Sequence, residues 1–204
     1  MSEEGIFVMT PEFRLGFHNL LKPGQNDEGD DKWDATMLFA EGETLSELKE
    51  AASRLMEQKF GAKANWPKGF RKPWRDQSEK DPENENAPGK TYEGYVSGNL
   101  FANCSTFKKP DVVDQKNKPI VDSSVIFSGI YMKAYVELKW YGDNPSAKGN
   151  KGIRLVLHCA QKQRDGEPLG GGVSVKAASV FKPISVNTKK DAASAFDDDE
   201  DPMA

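Results

Sequence analysis

Histidine and cysteine are scarce in this chain, with two of each among 204 residues. His18, His158, Cys104 and Cys159 stand far apart, no Cys-x-x-Cys occurs, and their spacing fits no zinc pattern, so no metal site is expected. Each cysteine lies in an apolar, strand-like stretch, which predicts reduced thiols packed in a core. No apolar run reaches membrane-spanning length, and the opening residues MSEEGIFVMT lack a basic stretch followed by a hydrophobic one. A soluble, cytoplasmic protein without a membrane partner is expected. Catalytic signatures are missing too: no Ser sits in a G-x-S-x-G, and Gly170 to Gly172 lack the lysine and the strand-loop-helix setting of a phosphate loop. Asp34, Asp76, Asp81, Asp111, Asp114 and Asp122 are scattered rather than paired on one element. The chain reads as a non-enzyme without a cofactor, a metal-dependent nuclease being the enzymatic alternative.

What the chain does have is charge, and it is unevenly placed. There are 28 Lys and Arg against 32 Asp and Glu, yet six of the acidic residues lie between Asp191 and Ala204, where no Lys or Arg occurs. The remainder carries 28 basic against 26 acidic residues, or +2. Asp197, Asp198, Asp199, Glu200 and Asp201 form a run of like charges that cannot pack, so residues 187–204 read as a flexible, solvated tail. A polyanion tethered to a basic body can occupy a cationic groove and be displaced by nucleic acid. Phe196 and the five acidic residues after it are therefore the candidate partner-binding segment, a merely solubilising terminus being the plainer reading.

Residues 1–186 read as one domain. Strand character appears over Phe7 to Leu21, Trp33 to Ala40, Tyr95 to Phe107, Gly129 to Tyr141, Gly152 to Lys162 and Val173 to Val186. One helix is expected over about residues 44–60: Thr44 and Glu47 fit a capping box, Leu45, Leu48, Ala52 and Leu55 recur at helical spacing, and Gly61 ends the run. Residues 61–91 hold four prolines and no period, which predicts an irregular, partly mobile loop. Predominant strands, one inserted helix and unequal connections favour a mainly β protein built on a small Greek-key barrel. An edge strand such as Phe7 to Leu21 offers a route to a homodimer.

Within this frame, three segments carry the chemistry. From Gly129 to Tyr141, Ile130, Met132, Ala134, Val136 and Leu138 point one way and Tyr131, Lys133, Tyr135, Lys139 and Tyr141 the other. Interleaved phenols and ammonium groups suit single-stranded nucleic acid, whose bases stack and whose phosphates need cations; they also suit ordinary cross-strand packing. Tyr95, Phe101 and Phe107, followed by Lys108 and Lys109, repeat the pattern, unless a loop covers the phenylalanines. The third segment, Phe60 to Arg75, interleaves Trp66, Phe70 and Trp74 with Lys63, Lys68, Arg71, Lys72 and Arg75 and contains no acid. It either folds over a bound strand or anchors itself to the barrel through its rings.

Several segments together resemble a known family: Gly16 to Pro23, Trp33 to Glu41, Pro73-Trp74-Arg75-Asp76, Pro110 to Asp114, Ser128-Gly129, and Asp165 to Gly171 with its Asp-Gly-Glu turn. The chain is similar, over roughly residues 5 to 186, to the single-stranded-DNA-binding proteins of tailed phages, long treated as an uncharacterised domain family. That resemblance implies a five-stranded OB-fold barrel that coats single-stranded DNA in replication and recombination, with the acidic tail reaching replication or recombination proteins. The tail departs from the usual pattern in ending Asp201-Pro202-Met203-Ala204 rather than on an aromatic residue. The alternative is an OB-fold protein-interaction module or a DNA-mimic inhibitor.

Overall fold

The computed structural model describes residues 5–142 and 150–170, all within the first of two units, Met1–Gly171 and Gly172–Ala204. The strand expected over Val173 to Val186 and the acidic tail lie outside the described residues. Ten elements carry the fold: β1 (Ile6–Met9), β2 (Phe13–His18), β3 (Gly24–Gln25), β4 (Asp31–Phe39), α1 (Ser46–Phe60), β5 (Trp74–Asp76), β6 (Leu100–Thr106), β7 (Asp111–Val113), β8 (Tyr131–Tyr141) and β9 (Gly152–Arg164). β2 pairs with β4, β4 with β6, β6 with β9, β9 with β8, and β8 with β2, which closes a five-stranded ring. Every pair in the ring is antiparallel except β6 with β9, which meet in parallel at Cys104 and Ser105. This is the OB-fold barrel, with α1 inserted between its second and third strands.

The stretch expected as one strand from Phe7 to Leu21 is two strands broken around Pro11, which has no N–H to give a ladder. Thr10 carries the chain past the break: its N–H donates to the Ala134 carbonyl at 2.8 Å, and its hydroxyl accepts from the Ala134 N–H at 3.0 Å. Both halves therefore stay on β8, β1 opposite Tyr135 to Leu138 and β2 opposite Tyr131 and Met132. The inward residues of β8, Met132, Ala134, Val136 and Leu138, meet Leu15, Met37, Leu155 and Leu157 in one core. Cys104 belongs to it as a free thiol whose burial pushes its pKa up to about 12, so it is inert.

The helix starts where expected, but without the capping box. Leu45 stands in the left-handed region at φ 53°, no side chain caps the helix, and the Glu43 carboxylate accepts the Leu45 N–H at 3.1 Å. Sealing Leu45 in the core is worth about 1.5–3 kcal/mol, against about 1 kcal/mol for a side-chain cap. Burial wins. The inner face of α1 (Leu48, Ala51, Ala52, Leu55 and Met56) plugs the barrel beside β1 and β8.

The two best family motifs find each other in space. Gly129, at φ 117°, lies so close to the Glu167 carbonyl that a Cβ there would overlap it. Arg14 donates to the Glu167 carbonyl at 2.7 Å, the Leu169 N–H donates to the Ser128 carbonyl at 2.9 Å, and the Ser128 hydroxyl donates to the Gly16 carbonyl at 2.7 Å. Ser128-Gly129 and Asp165-Gly166-Glu167 are thus a structural clasp that locks the end of β9 onto β2 and the start of β8.

The proline-rich segment after α1 is better organised than its sequence suggests. Gln77 is fully buried; its amide donates to the Phe39 and Leu100 carbonyls at 3.1 and 2.8 Å and accepts the Val96 N–H at 2.9 Å. Asp81 takes the Ser97 hydroxyl, the Ser97 N–H and the Glu83 N–H, bonds that hold its carboxyl below the usual range. Replacing Gln77 with Ala would leave buried backbone groups unpartnered, so denaturant unfolding of Gln77→Ala should show a loss of about 1–3 kcal/mol, with new protease cleavage between residues 61 and 99. A loss under about 0.5 kcal/mol would show that the segment is held elsewhere.

Candidate nucleic-acid interface

The outward positions of β4 and β6 form one surface, since Asp34 faces Ser105, Thr36 faces Asn103 and Leu38 faces Phe101. Half of it is roofed. The Arg75 guanidinium lies over the Phe101 ring at 4.6 Å and Tyr95 packs edge-on against it at 5.4 Å; Tyr95 touches Tyr92 at 6.1 Å, and Tyr92 meets Phe17 edge-on at 4.7 Å. Phe101 and Tyr95 are accordingly 2 % and 6 % exposed. Phe101 faces away from the barrel core, as the alternation predicts, whereas Tyr95 precedes the strand, which starts at Leu100 rather than at Tyr95; the two form a small second core with Leu38 that leaves neither ring face open.

The other half is open. A groove of about 260 Å3 runs over it, lined by Phe17, Lys32, Thr36, Asn103, Ser105 and Arg154. A second hollow of about 390 Å3 lies on the other side of Phe17, bounded by Lys90, Tyr92, Ser128 and Leu169. Phe17 is the wall between them and is 55 % exposed. Beyond the groove, where β6 ends, Phe107 is 58 % exposed and is followed by exposed Lys108 and Lys109. The surface is therefore two exposed rings among five cations, Lys32, Lys90, Lys108, Lys109 and Arg154, of which Lys32 is paired with Asp34 at 3.8 Å, with the hydrogen-bonding groups between them largely engaged: Thr36 with Asn103 at 2.9 Å, and Asn19 with Asp34 at 2.9 Å.

Phe17, Lys32, Lys90 and Arg154 were invisible to the pattern of residue types. Phe13 and Leu15 point inward, and strict alternation would send Phe17 inward as well. A register shift between Leu15 and His18, spanning Gly16 and Phe17, turns it out. The only sequence-level hint was a glycine inside a strand.

The remaining candidates lie elsewhere. On β8 the alternation is as expected, but β8 sits across the ring from β4 and β6. Tyr131 is capped by the Arg164 guanidinium at 3.3 Å, itself held by Glu12 at 2.8 Å. Tyr135 stacks on Phe7 at 5.6 Å, Lys139 pairs with Glu137 at 3.1 Å, Tyr141 is half-buried, and Lys133 stands exposed. In the third segment Trp66 donates to the Gly61 carbonyl at 3.1 Å, Phe70 packs on Trp140 at 5.9 Å, and Trp74 pairs with Ala102 in the sheet. These three rings are half-buried against the core. Arg71 is stitched to the start of β9, its N–H to the Lys151 carbonyl at 2.8 Å and its carbonyl to the Ile153 N–H at 3.0 Å. Lys63, Lys68, Arg71 and Lys72 are exposed, whereas Arg75 is shared between Phe101 and Glu79. The segment extends the sheet rather than closing over the groove. Phe196 and Asp197 to Asp201 lie outside the described residues. Among the described residues no three His, Cys, Asp or Glu cluster as metal ligands, and no helix is long and apolar enough to cross a membrane.

The family model for the single-stranded-DNA-binding protein of Enterobacter phage Enc34 matches residues 6–195. The chain belongs to that family. Solved structures repeat the fold at low identity. The single-stranded-DNA-binding protein from bacteriophage Enc34 aligns with TM-score 0.59 at 18 % identity, covering 89 % of this chain and 96 % of that one. Its complex with single-stranded DNA gives 0.60 at 18 % identity, covering 83 % and 96 %. The gp2.5 single-stranded-DNA-binding protein encoded by bacteriophage T7 gives 0.54 at 13 % identity, covering 87 % and 98 %. No curated protein matches the chain.

In this family member a titratable group sits at the edge of the groove. His18 lies beside Asp34, its Nδ1 is buried without a partner, and burial lowers its pKa below 6.5 although Asp34 pulls the other way. A proton taken up by the unfolded chain but refused by the folded one makes stability fall as pH drops from 6.5 through the lower folded value. Thermal midpoints recorded down from neutral pH should lose that part of their slope in His18→Gln; an unchanged slope would show that His18 titrates normally.

Proposed function

We propose that this chain is a non-catalytic, sequence-tolerant single-stranded-DNA-binding protein of phage replication and recombination, acting in the host cytoplasm, and that the strand runs across the outer face of β4 and β6. The observation that carries this reading is the groove at Phe17: an exposed ring turned outward by a bulge between two hollows, with Lys32, Lys90 and Arg154 around it. Family membership supports it, and a solved structure of similar fold is that of an Enc34 protein in complex with single-stranded DNA. The division of labour is physical. Phe17 and Phe107 supply flat apolar faces for bases of any identity, and the cations neutralise phosphates. Because Thr36 already bonds Asn103, and Asn19 bonds Asp34, few neutral polar side chains are left to read base edges, which makes the site tolerant of sequence. Lys133, on the far side of the ring, contributes at most through the general field.

Residues 196–201 complete the reading. Five acidic residues after Phe196 supply the charge to compete with phosphates for Lys32, Lys108, Lys109 and Arg154, and would be released to replication partners once DNA displaces them.

Anisotropy of a labelled oligo-dT tests both parts. Phe17→Ala should weaken binding by about 5- to 100-fold, the equivalent of 1–3 kcal/mol for a stacked base. Charge reversal of Lys32 and Arg154 should flatten the dependence of log K on log salt by about 0.7 for each phosphate no longer neutralised. Wild-type affinity in Phe17→Ala together with a wild-type salt slope in the reversed variant would move the interface elsewhere. A chain ending at Ala195 should bind more tightly than the full chain at low salt; equal affinities would remove the competing tail and leave the groove standing.

A further inference from the structure

A different groove, of about 390 Å3, lies between α1 and the segment that follows it. Ala52 and Met56 of the helix form one wall, Trp66, Phe70 and Trp74 the other, and Ile153 of β9 belongs to the lining. The far wall is built in advance. Trp74 is in the sheet opposite Ala102, and the backbone of Arg71 is bonded to Lys151 and Ile153.

The chemistry of this groove is unlike that at Phe17. Two of its side-chain hydrogen-bonding groups are already engaged, the Trp66 indole N–H with the Gly61 carbonyl at 3.1 Å and the Ser53 hydroxyl with the Lys49 carbonyl at 3.0 Å, which leaves the Trp74 indole and the lysine ammonium groups as donors. A nucleobase drawn in would lose water from several ring nitrogens and carbonyls and meet few donors on these walls. An aromatic or aliphatic side chain has no such groups and gains from the same walls. Only three charged residues line the groove, Lys49, Lys63 and Lys72. All three are exposed, and none is paired with a carboxylate among the described residues. An apolar slot rimmed by one sign of charge selects an occupant that is apolar at its centre and opposite in charge at its flanks.

We infer that this groove is a docking site for an acidic protein segment with one aromatic or aliphatic anchor, the anchor entering between Met56 and the Trp66, Phe70 and Trp74 rings and the flanking carboxylates meeting Lys49, Lys63 and Lys72. The inference rests on this geometry alone and does not depend on where DNA binds. It gives a separate task to Lys63, Trp66, Phe70, Lys72 and Trp74, which the sequence pattern assigns to nucleic acid.

The test uses the full chain saturated with unlabelled oligo-dT, which fills the groove at Phe17 where the same acidic residues compete, and a fluorescein-labelled peptide with the sequence of residues 195–204, in which one Phe precedes five acidic residues. Oligo-dT binding is measured in parallel. Saturable peptide binding is expected, weakened about tenfold or more both by Lys63→Glu with Lys72→Glu in the protein and by Phe→Ala in the peptide, while the doubly reversed protein keeps oligo-dT affinity within about threefold of wild type. Because Lys63 and Lys72 are exposed, their reversal leaves the core intact. No saturation up to about 1 mM peptide, equal peptide binding by the reversed protein, or indifference to removal of the peptide's Phe would each overturn the proposal. A drop in oligo-dT affinity as large as the drop in peptide affinity would also overturn it and give the groove to DNA.

Discussion

The pairing of β8 with both β2 and β9 is the constraint on which everything else rests. It converts a run of strands into a ring, and closure decides which side of each strand is core and which is surface. Three devices protect it: Thr10 bridges the Pro11 break, so that β1 and β2 share one partner; the Ser128-Gly129 and Asp165-Gly166-Glu167 clasp holds the seam from outside; and α1 plugs the barrel beside β1 and β8. A seam open at any of these points would expose Met132, Val136 and Leu138, which are now sealed.

Closure also divides the outer surface into regions with different chemistry. Over half of β4 and β6 the loop between β5 and β6 has been used to build a second core, in which Phe101 packs with Leu38, meets Tyr95 edge-on and lies under the Arg75 guanidinium. Building it consumes two aromatic residues that would otherwise be free to stack, yet it stiffens the floor of the adjoining groove and fixes Tyr92, against which Phe17 stands. A rigid ring loses little entropy when a base lies on it, which is the advantage of preorganisation. The basic segment after α1 belongs to a different region. Its rings face protein, its cations face solvent, and its backbone continues the sheet at β9.

Much of this was legible in residue order. The two-residue period of β8 identified its inner and outer faces correctly, because a strand with one buried face has no freedom of register. The helix was legible for the same reason, its apolar spacing and terminal Gly61 leaving one face to bury. Its cap was misread because Leu45 gains more by entering the core than a Thr44 cap could return. The residue types of the candidate site were legible, their surroundings were not. Aromatic residues interleaved with cations can be read from residue order, but residue type does not say whether a ring's face is covered: Phe101 and Tyr131 are each roofed by a guanidinium distant in sequence. Phe17 went unnoticed because a bulge reverses side-chain direction without changing composition.

By itself, then, the sequence determined a mainly β chain with one helix, an inert buried thiol, a basic body and an acidic end, because periodicity, burial tendency and charge are local properties carried by each residue wherever it lies. Only the tertiary structure decided which aromatic rings are left bare, which cations stand beside them, and that the segment after α1 walls a groove of its own. Those are properties of neighbours brought together by ring closure, with Arg14 reaching Glu167 and Arg75 lying on Phe101, and no window along the chain contains both members of such a pair.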